Sequence, residues 1–534
     1  MLRSFALLFA LLTLAFPVGC SQAVVESATT PTPSAFLPAV LAQPTHTPTA
    51  TLTSTSTSTP APTSTPSPSA TPTASLTPTP TPPSVWGVQF LYVQEEDPDW
   101  YAQLVAFELD LAWEAGFRSI RTDVYWREVE PLNASPAEYR WAEYDQRLRD
   151  YSSRGFEPMV TIVGYPEWAT RYYCGGGLLP GMEGEWREFV RALVQRYSQP
   201  PYNVRIWEIG NEEDGETTID PEDCDRPPEQ GGCQPTVPAG GCWGDMAPEY
   251  VDFLRMAYEE IKAVDPQAMV MMGGLAYAAW DLWFIEDFFP NFLDAGGAEY
   301  TDVVGYHWFP FYQQWPTAVE KAQELMAIMQ ARGISRPMWL TETHMWDTDE
   351  GVDRRKEQIE FITQELLRTI GGGLVKKVYW YGFWDLPQGM APRPRGLVSY
   401  EHVPKPAYRI FQIMADLTYG LPSSYPYPGL EVYRFSRPWQ VASAHLRTGQ
   451  ERAGCTSPVS ACEGEEVFAL WSTSDVTKTF TLPAITTAPA EAISIVAGDT
   501  YTTTYSMTTP IAPLDGQYTL DVGPRTIFLR VPIR

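Results

Sequence analysis

Two glutamates in this chain each follow an apolar run that reads as a buried strand. In Trp207-Glu208-Ile209-Gly210-Asn211-Glu212, the run is Val204, Ile206 and Ile209, and Gly210 frees the backbone for a turn that presents Asn211 and Glu212. Trp339-Leu340-Thr341-Glu342-Thr343-His344 repeats the pattern, with Met338, Trp339 and Leu340 running into Glu342. Two carboxyl groups at the ends of two parallel barrel strands would face each other across one mouth. Breaking a glycosidic bond needs such a pair: one neutral, to protonate the leaving oxygen, and one charged, beneath the anomeric carbon. Their mutual repulsion would raise the pKa of one, so a single site could hold both states near neutral pH.

The elements that must position them alternate between strand and helix from Val85 onward, the pattern of a parallel sheet built from βαβ units. Eight strands are expected: Gly87 to Val93, Ser119 to Asp123, Glu157 to Val163, Val204 to Ile209, Ala268 to Gly273, Asp302 to His307, Met338 to Thr341 and Val378 to Phe383. Helical stretches include Ala102 to Ala115, Glu185 to Tyr197, Pro248 to Val264, Thr317 to Arg332 and Asp353 to Ile370. The fold class is therefore α/β, a (β/α)8 TIM barrel over residues 85–420, which sets the fourth and seventh strands across one mouth. From 425 to 534 the runs are short and alternating, as in Glu431 to Phe435, Gln440 to Leu446, Glu466 to Trp471, Thr477 to Leu482, Ala492 to Ala497, Gln517 to Val522 and Thr526 to Val531. They predict an all-β sandwich, either a carbohydrate-binding module or a structural domain packed on the barrel.

The Asn-Glu pair after the fourth strand and the Thr-Glu ending the seventh resemble the retaining glycoside hydrolases of the large (β/α)8 clan A, most of all families 39 and 5. The resemblance implies that Glu212 is the acid/base and Glu342 the nucleophile, with Glu213 a nearby rival for the first role. Asn211 would donate to the sugar 2-hydroxyl, or else cap the turn. Arg121, at the end of the second strand, would hold Glu342 ionised, unless it pairs with Asp123 or another acid. His307, after the sixth strand, would orient Glu342 or touch sugar, with a satisfied core histidine the alternative. Phe309 stands where family 5 relatives commonly carry a tyrosine, and Tyr312 is a candidate replacement. Trp380 and Trp384 compete as the platform under the reacting sugar, and Trp168 and Trp126 would line further subsites, with core packing the alternative for each. The reaction class needs neither metal nor organic cofactor.

Residues 1–20 read as an export signal, with Arg3 ahead of the apolar run Phe5 to Phe16. Its end, Val18-Gly19-Cys20, looks like a bacterial lipobox, which implies lipidation of Cys20 and a membrane anchor; ordinary secretion is the alternative, because Pro17 departs from the usual leucine. Residues 21–84 form a Thr/Pro/Ser-rich linker with too little apolar surface to order itself, and its residues 26–84, extended as polyproline II, would reach roughly 180 Å. The other cysteines, Cys174, Cys224, Cys233, Cys242, Cys455 and Cys462, are an even set in an exported chain and read as disulfides; their spacing lacks the form of a zinc site. The acidic stretch from Glu212 to Asp225 lacks EF-hand spacing for calcium. Lys+Arg 37 against Asp+Glu 65 gives a net charge of −28, which argues against nucleic acid as a partner. A carbohydrate is the expected substrate. A catalytically silent glycan-binding barrel and a transglycosylase with the same residues are the rival functions. Neither the sugar nor the oligomeric state is written in these residues.

Overall fold

The computed structural model describes residues 85–90, 98–170, 177–215, 243, 246–277, 284–311, 315–349, 351–386, 393–437, 465–496 and 506–533, with backbone alone over 98–104. The export signal, the linker, all seven cysteines, Tyr312 and the expected strand Gln440 to Leu446 lie outside the described residues. No described helix is long and apolar enough to cross a membrane.

Eight parallel strands form the barrel: β1 (Trp86–Gln89), β2 (Ser119–Tyr125), β3 (Glu157–Val163), β4 (Ile206–Ile209), β5 (Met269–Met272), β6 (Val304–His307), β7 (Met338–Thr343) and β8 (Val375–Tyr381). They pair in the order β5-β4-β3-β2-β1-β8-β7-β6, and parallel bridges from Met271 to Val303 and from Leu275 to Tyr306 bring β5 to β6. Strands buried on both faces need apolar side chains on both, which is why they read as continuous apolar runs. Inward-pointing Met159, Ile206, Met271, Val303, Trp339 and Tyr379 fill the lower interior. Their outward-pointing neighbours, among them Val160, Trp207, Val270 and Leu340, join the larger core under the helices. Burying one such leucine or valine contributes about 1.5–3 kcal/mol, so a shift of strand register by one residue would forfeit a full row of these gains.

The helix Ala318–Gln330 starts on a capping box, with the Thr317 side chain accepting from the Glu320 N–H and the Glu320 carboxylate accepting from the Thr317 N–H. The last helix of the barrel, Pro406–Leu417, carries its proline in the first turn, where the missing N–H costs no hydrogen bond.

Beyond it stands an antiparallel sheet in the order Ser423–Ser424, Leu430–Arg437, Glu465–Ser472, Ile527–Pro532, Ala490–Ile495, Ser506–Ile511, faced by the pair Lys478–Pro483 and Gln517–Val522. One face buries its own core around Val432, Phe468, Phe480 and Leu529. The other face joins the barrel's core through Tyr433, Phe435, Trp471 and Phe528. Tyr433 lies where a Cβ on Gly371 would be, 2.2 Å away, and Arg368 holds Glu431 at 2.9 and 3.0 Å. The C-terminal sheet thus packs directly against the barrel.

Candidate active site

The polar centre of the barrel is Arg121, fully buried on the inner face of β2. Its Nε donates to Glu208 on β4 at 2.7 Å, and its Nη1 donates to Gln89 on β1 at 2.6 Å and to Glu342 on β7 at 2.5 Å. Its Nη2 donates to the Asn211 Oδ1 at 2.5 Å. Thr161 on β3 adds a hydroxyl to Glu208 at 2.7 Å. A buried guanidinium demands carboxylate partners, and Arg121 takes Glu208 and Glu342 as its ion pairs, not Asp123. Although burial works the other way, these two carboxylates hold its pKa above the ordinary value.

After β4 the chain turns sharply. Gly210 has φ 86°, and a Cβ there would fall 1.6 Å from the Glu213 Oε1, so only glycine fits. That Glu213 oxygen accepts the Asn211 N–H at 2.8 Å, which places Glu213 beneath the turn and buries it. Burial drives its carboxyl well above the usual range. Asp214 accepts the N–H groups of Ala276 and Tyr277 at 2.8 and 2.6 Å, binding the turn to the loop after β5. Between these two anchors Glu212 is forced to φ 53°, a left-handed conformation that non-glycine residues adopt at a cost of about 1 kcal/mol or more. The consequence is that Glu212, and not Glu213, projects into the mouth.

Glu342 reaches the same mouth by a register fault. Strict alternation would send it outward, since Trp339 and Thr341 point in and Leu340 points out. On one side Tyr306 pairs with Leu340 but His307 with Glu342; on the other Val378 pairs with Leu340 but Trp380 with Thr343. Beyond Leu340, strand β7 therefore carries one residue more than both neighbours, and this bulge turns Glu342 inward.

His307, at the end of β6, sits between the two glutamates, its Nδ1 2.7 Å from Glu212 and 3.7 Å from Glu342. Gly274 makes room for it, because a Cβ there would lie 2.5 Å from the His307 Nε2. Burial lowers His307 to about 4, so it is neutral at pH 7 and shares a single proton with Glu212 across that bond. Behind it the buried Lys321 donates to the His307 carbonyl at 2.6 Å and to the Ala276 carbonyl.

Burial raises Glu212 to about 7, with Lys321 and then Arg121 pulling the other way. Burial also raises Glu342, while His307 and Arg121 lower it. The two glutamates thus differ in their partners: Glu342 bonds directly to a guanidinium, and Glu212 to a neutral imidazole. One oxygen of each and a His307 nitrogen lie within 4.8 Å of one another, close enough to meet on a divalent cation. The fixed charge of Arg121 and the ammonium group of Lys321, which burial lowers to about 7, already supply positive charge beside them and would repel one.

Two of the expected sugar-stacking residues are elsewhere. Trp380 is 1% exposed and packs against Phe361 in the helical layer at 6.0 Å, because even positions of β8 face outward while Tyr379 and Tyr381 face in. Trp126 is fully buried among Trp168, Trp186 and Phe189, with its Nε1 donating to Glu130. Trp384 is 4% exposed and lies against Tyr400 and His402; Trp168 is half-buried, its Nε1 on the Glu130 carbonyl. Phe309 stacks on Phe311 and meets His344. Sequence reasoning missed Gln89, Glu208, Thr161, Lys321 and Tyr381. Glu208 had a signal, a charged side chain inside an apolar run, which a buried strand tolerates only opposite a cation.

No family model matches the chain, and no curated protein matches it. Solved structures do share its fold. A family 39 glycoside hydrolase from the gut symbiont Bacteroides cellulosilyticus is 18% identical, with a TM-score of 0.54 over 84% of this chain and 81% of that one. A family 39 β-xylosidase from Caulobacter crescentus is 15% identical, with a TM-score of 0.52 over 84% and 96%. A family 30 endoxylanase from Clostridium papyrosolvens is 13% identical, with a TM-score of 0.51 over 84% and 96%. At these identities the likeness is one of fold.

Proposed function

We propose that this protein is a retaining glycoside hydrolase that cleaves O-glycosidic bonds of a β-linked oligo- or polysaccharide by double displacement. The observation that carries the reading is the pair of strand-end carboxyl groups, with oxygens within 4.8 Å, one bonded to a buried guanidinium and the other to a buried histidine. That closeness favours the retaining reading, because inverting enzymes hold their two carboxyl groups roughly 6.5–9.5 Å apart to admit a water.

In the first step a Glu342 oxygen attacks the anomeric carbon while Glu212 gives its proton to the departing glycosidic oxygen, so the bond breaks without releasing an alkoxide. In the second, the Glu212 carboxylate takes a proton from water, the water oxygen attacks the same carbon, and Glu342 leaves with its electron pair. Arg121 keeps Glu342 anionic, and the Asn211 side chain, its Oδ1 held by Arg121, is oriented to donate its amide to the sugar 2-hydroxyl. Release of reducing sugar from aryl β-glycosides and from β-glucan, xylan and mannan tests the reading. Binding without turnover across that panel would move it to a silent glycan-binding protein.

Lys321 offers a pH test. Its charge lowers Glu212, whose protonated form the first step needs, so removing it raises that pKa. Lys321→Met is expected to move the alkaline limb of kcat/KM to higher pH by roughly one unit. An unmoved limb would show that another group sets it. Export and lipidation at Cys20 belong to the same reading and are supported by the signal-like N-terminus. Cys20→Ala is expected to transfer the protein from the membrane fraction to the medium, and an unchanged distribution would remove the anchor.

A further inference from the structure

At the side of the mouth built by the ends of β6, β7 and β8, aromatic rings gather beside one guanidinium. Tyr381 closes the inner face of β8, the His344 ring stacks on it at 5.9 Å and 24°, and Phe309 meets His344 at 4.6 Å. The Arg395 guanidinium stands over the Tyr381 ring, 4.9 Å from its centroid. Its neighbour Arg393 is held by Asp349 at 2.7 Å and lies over Trp346. Arg395 has no such holder: among the described residues it makes no ion pair, and its buried Nε meets no acceptor. The His344 side chain, on a residue 3% exposed, likewise leaves both ring nitrogens without partners. In a chain with so large a surplus of carboxylates, a cation that pairs with none of the described ones, at the edge of a pocket, is positioned for something the pocket receives.

That pocket is the proposed catalytic one. Burial raises the Tyr381 phenol, Glu342 raises it further, and Arg395 pulls it down, so nucleophile, phenol and guanidinium share one electrostatic neighbourhood. A guanidinium fork fits two oxygens of a carboxylate or a sulfate, and its hold on the Tyr381 face pre-orients it at little further entropic cost. We propose that Arg395, with Tyr381 and His344, forms a subsite for a negatively charged substituent, a carboxylate or a sulfate ester, on a sugar bound beside Glu342, so that the substrate is an acidic glycan. This deepens the hydrolase reading and rests on it for the chemistry. The chain's overall negative charge does not oppose it at contact range, because at physiological salt repulsion is screened beyond about 8 Å.

The test uses the full chain and matched polymers: glucuronoxylan and alginate beside their carboxyl-reduced forms, and a sulfated galactan beside its desulfated form. Two readouts are taken, kcat/KM of the wild type and Arg395 variants, and calorimetric binding to the same polymers in the Glu342→Gln background. Arg395→Gln is expected to lose about 10- to 150-fold on the charged member of a pair and nothing on the neutral one. Arg395→Lys, which keeps the charge without the fork, is expected to recover part of the loss. The pair that shows the preference tells carboxylate from sulfate. Equal losses on charged and neutral members, or a wild type that binds both alike, would overturn the subsite. Absence of turnover with charge-dependent binding intact would overturn the hydrolase reading and leave the subsite standing.

Discussion

Glu342→Gln is expected to lower kcat on an activated aryl glycoside by roughly four orders of magnitude or more, a rise in barrier of about 5.4 kcal/mol. The glutamine has nearly the shape of the glutamate, and its carbonyl oxygen can still accept from Arg121, but an amide oxygen does not displace an aryloxide. The substitution removes one of two carboxylates from a buried guanidinium. Arg121 keeps Glu208 at 2.7 Å, so its charge stays compensated and the variant is expected to melt cooperatively. A folded variant without activity separates a chemical loss from a structural one. Turnover within tenfold of the wild type would mean that the nucleophile lies elsewhere.

Glu212→Ala has a different expected signature, because its two tasks depend on different partners. With a poor leaving group, loss of the general acid is expected to reduce kcat/KM by about 10²- to 10⁴-fold. With a dinitrophenolate, which leaves unprotonated, the first step should be nearly unaffected and the second should become limiting, giving a burst. Azide needs no deprotonation to attack, so added azide is expected to restore turnover and yield a glycosyl azide of retained configuration. Glu213→Gln provides the contrast: Glu213 lies under the turn and touches only the Asn211 N–H within it, so its loss should show no azide response. A Glu212 variant whose rate is independent of leaving group and azide would remove it from the acid/base role.

The barrel was legible because its strands are buried on both faces and its helices on one, and those burial patterns impose the apolar spacing. The strands Glu157–Val163 and Gln517–Val522 fall where the alternation places them, and the other barrel strands differ from expectation only at their ends, with residues 91–93 of the first expected strand outside the described residues. The candidate site was legible where a charged side chain falls in or directly after an apolar run, as at Arg121, Glu342 and Glu212. Three things were not. The bulge on β7 is a property of how three strands pair, so period-two reasoning could not show that Glu342 faces inward. Tryptophan has the same sequence signature in a core as in a subsite, and Trp380 and Trp126 prove to be core. Lys321 lies on a helix whose exposed neighbours are polar, and only the packing reveals that its ammonium group lies under His307.

The most direct measurement is covalent trapping. The wild type would be incubated with activated 2-deoxy-2-fluoro glycosides of the sugar class that the panel identifies, then digested and mapped by mass spectrometry. Fluorine at the 2-position destabilises the oxocarbenium-like transition states of both steps, and the good leaving group rescues only the first, so the glycosyl-enzyme accumulates. The account predicts one adduct, on the peptide bearing Glu342 and on that side chain, with loss of activity in proportion to labelling. Steady hydrolysis of natural substrate by an enzyme that never acquires an adduct, with inverted product, or an adduct on another residue, would contradict it.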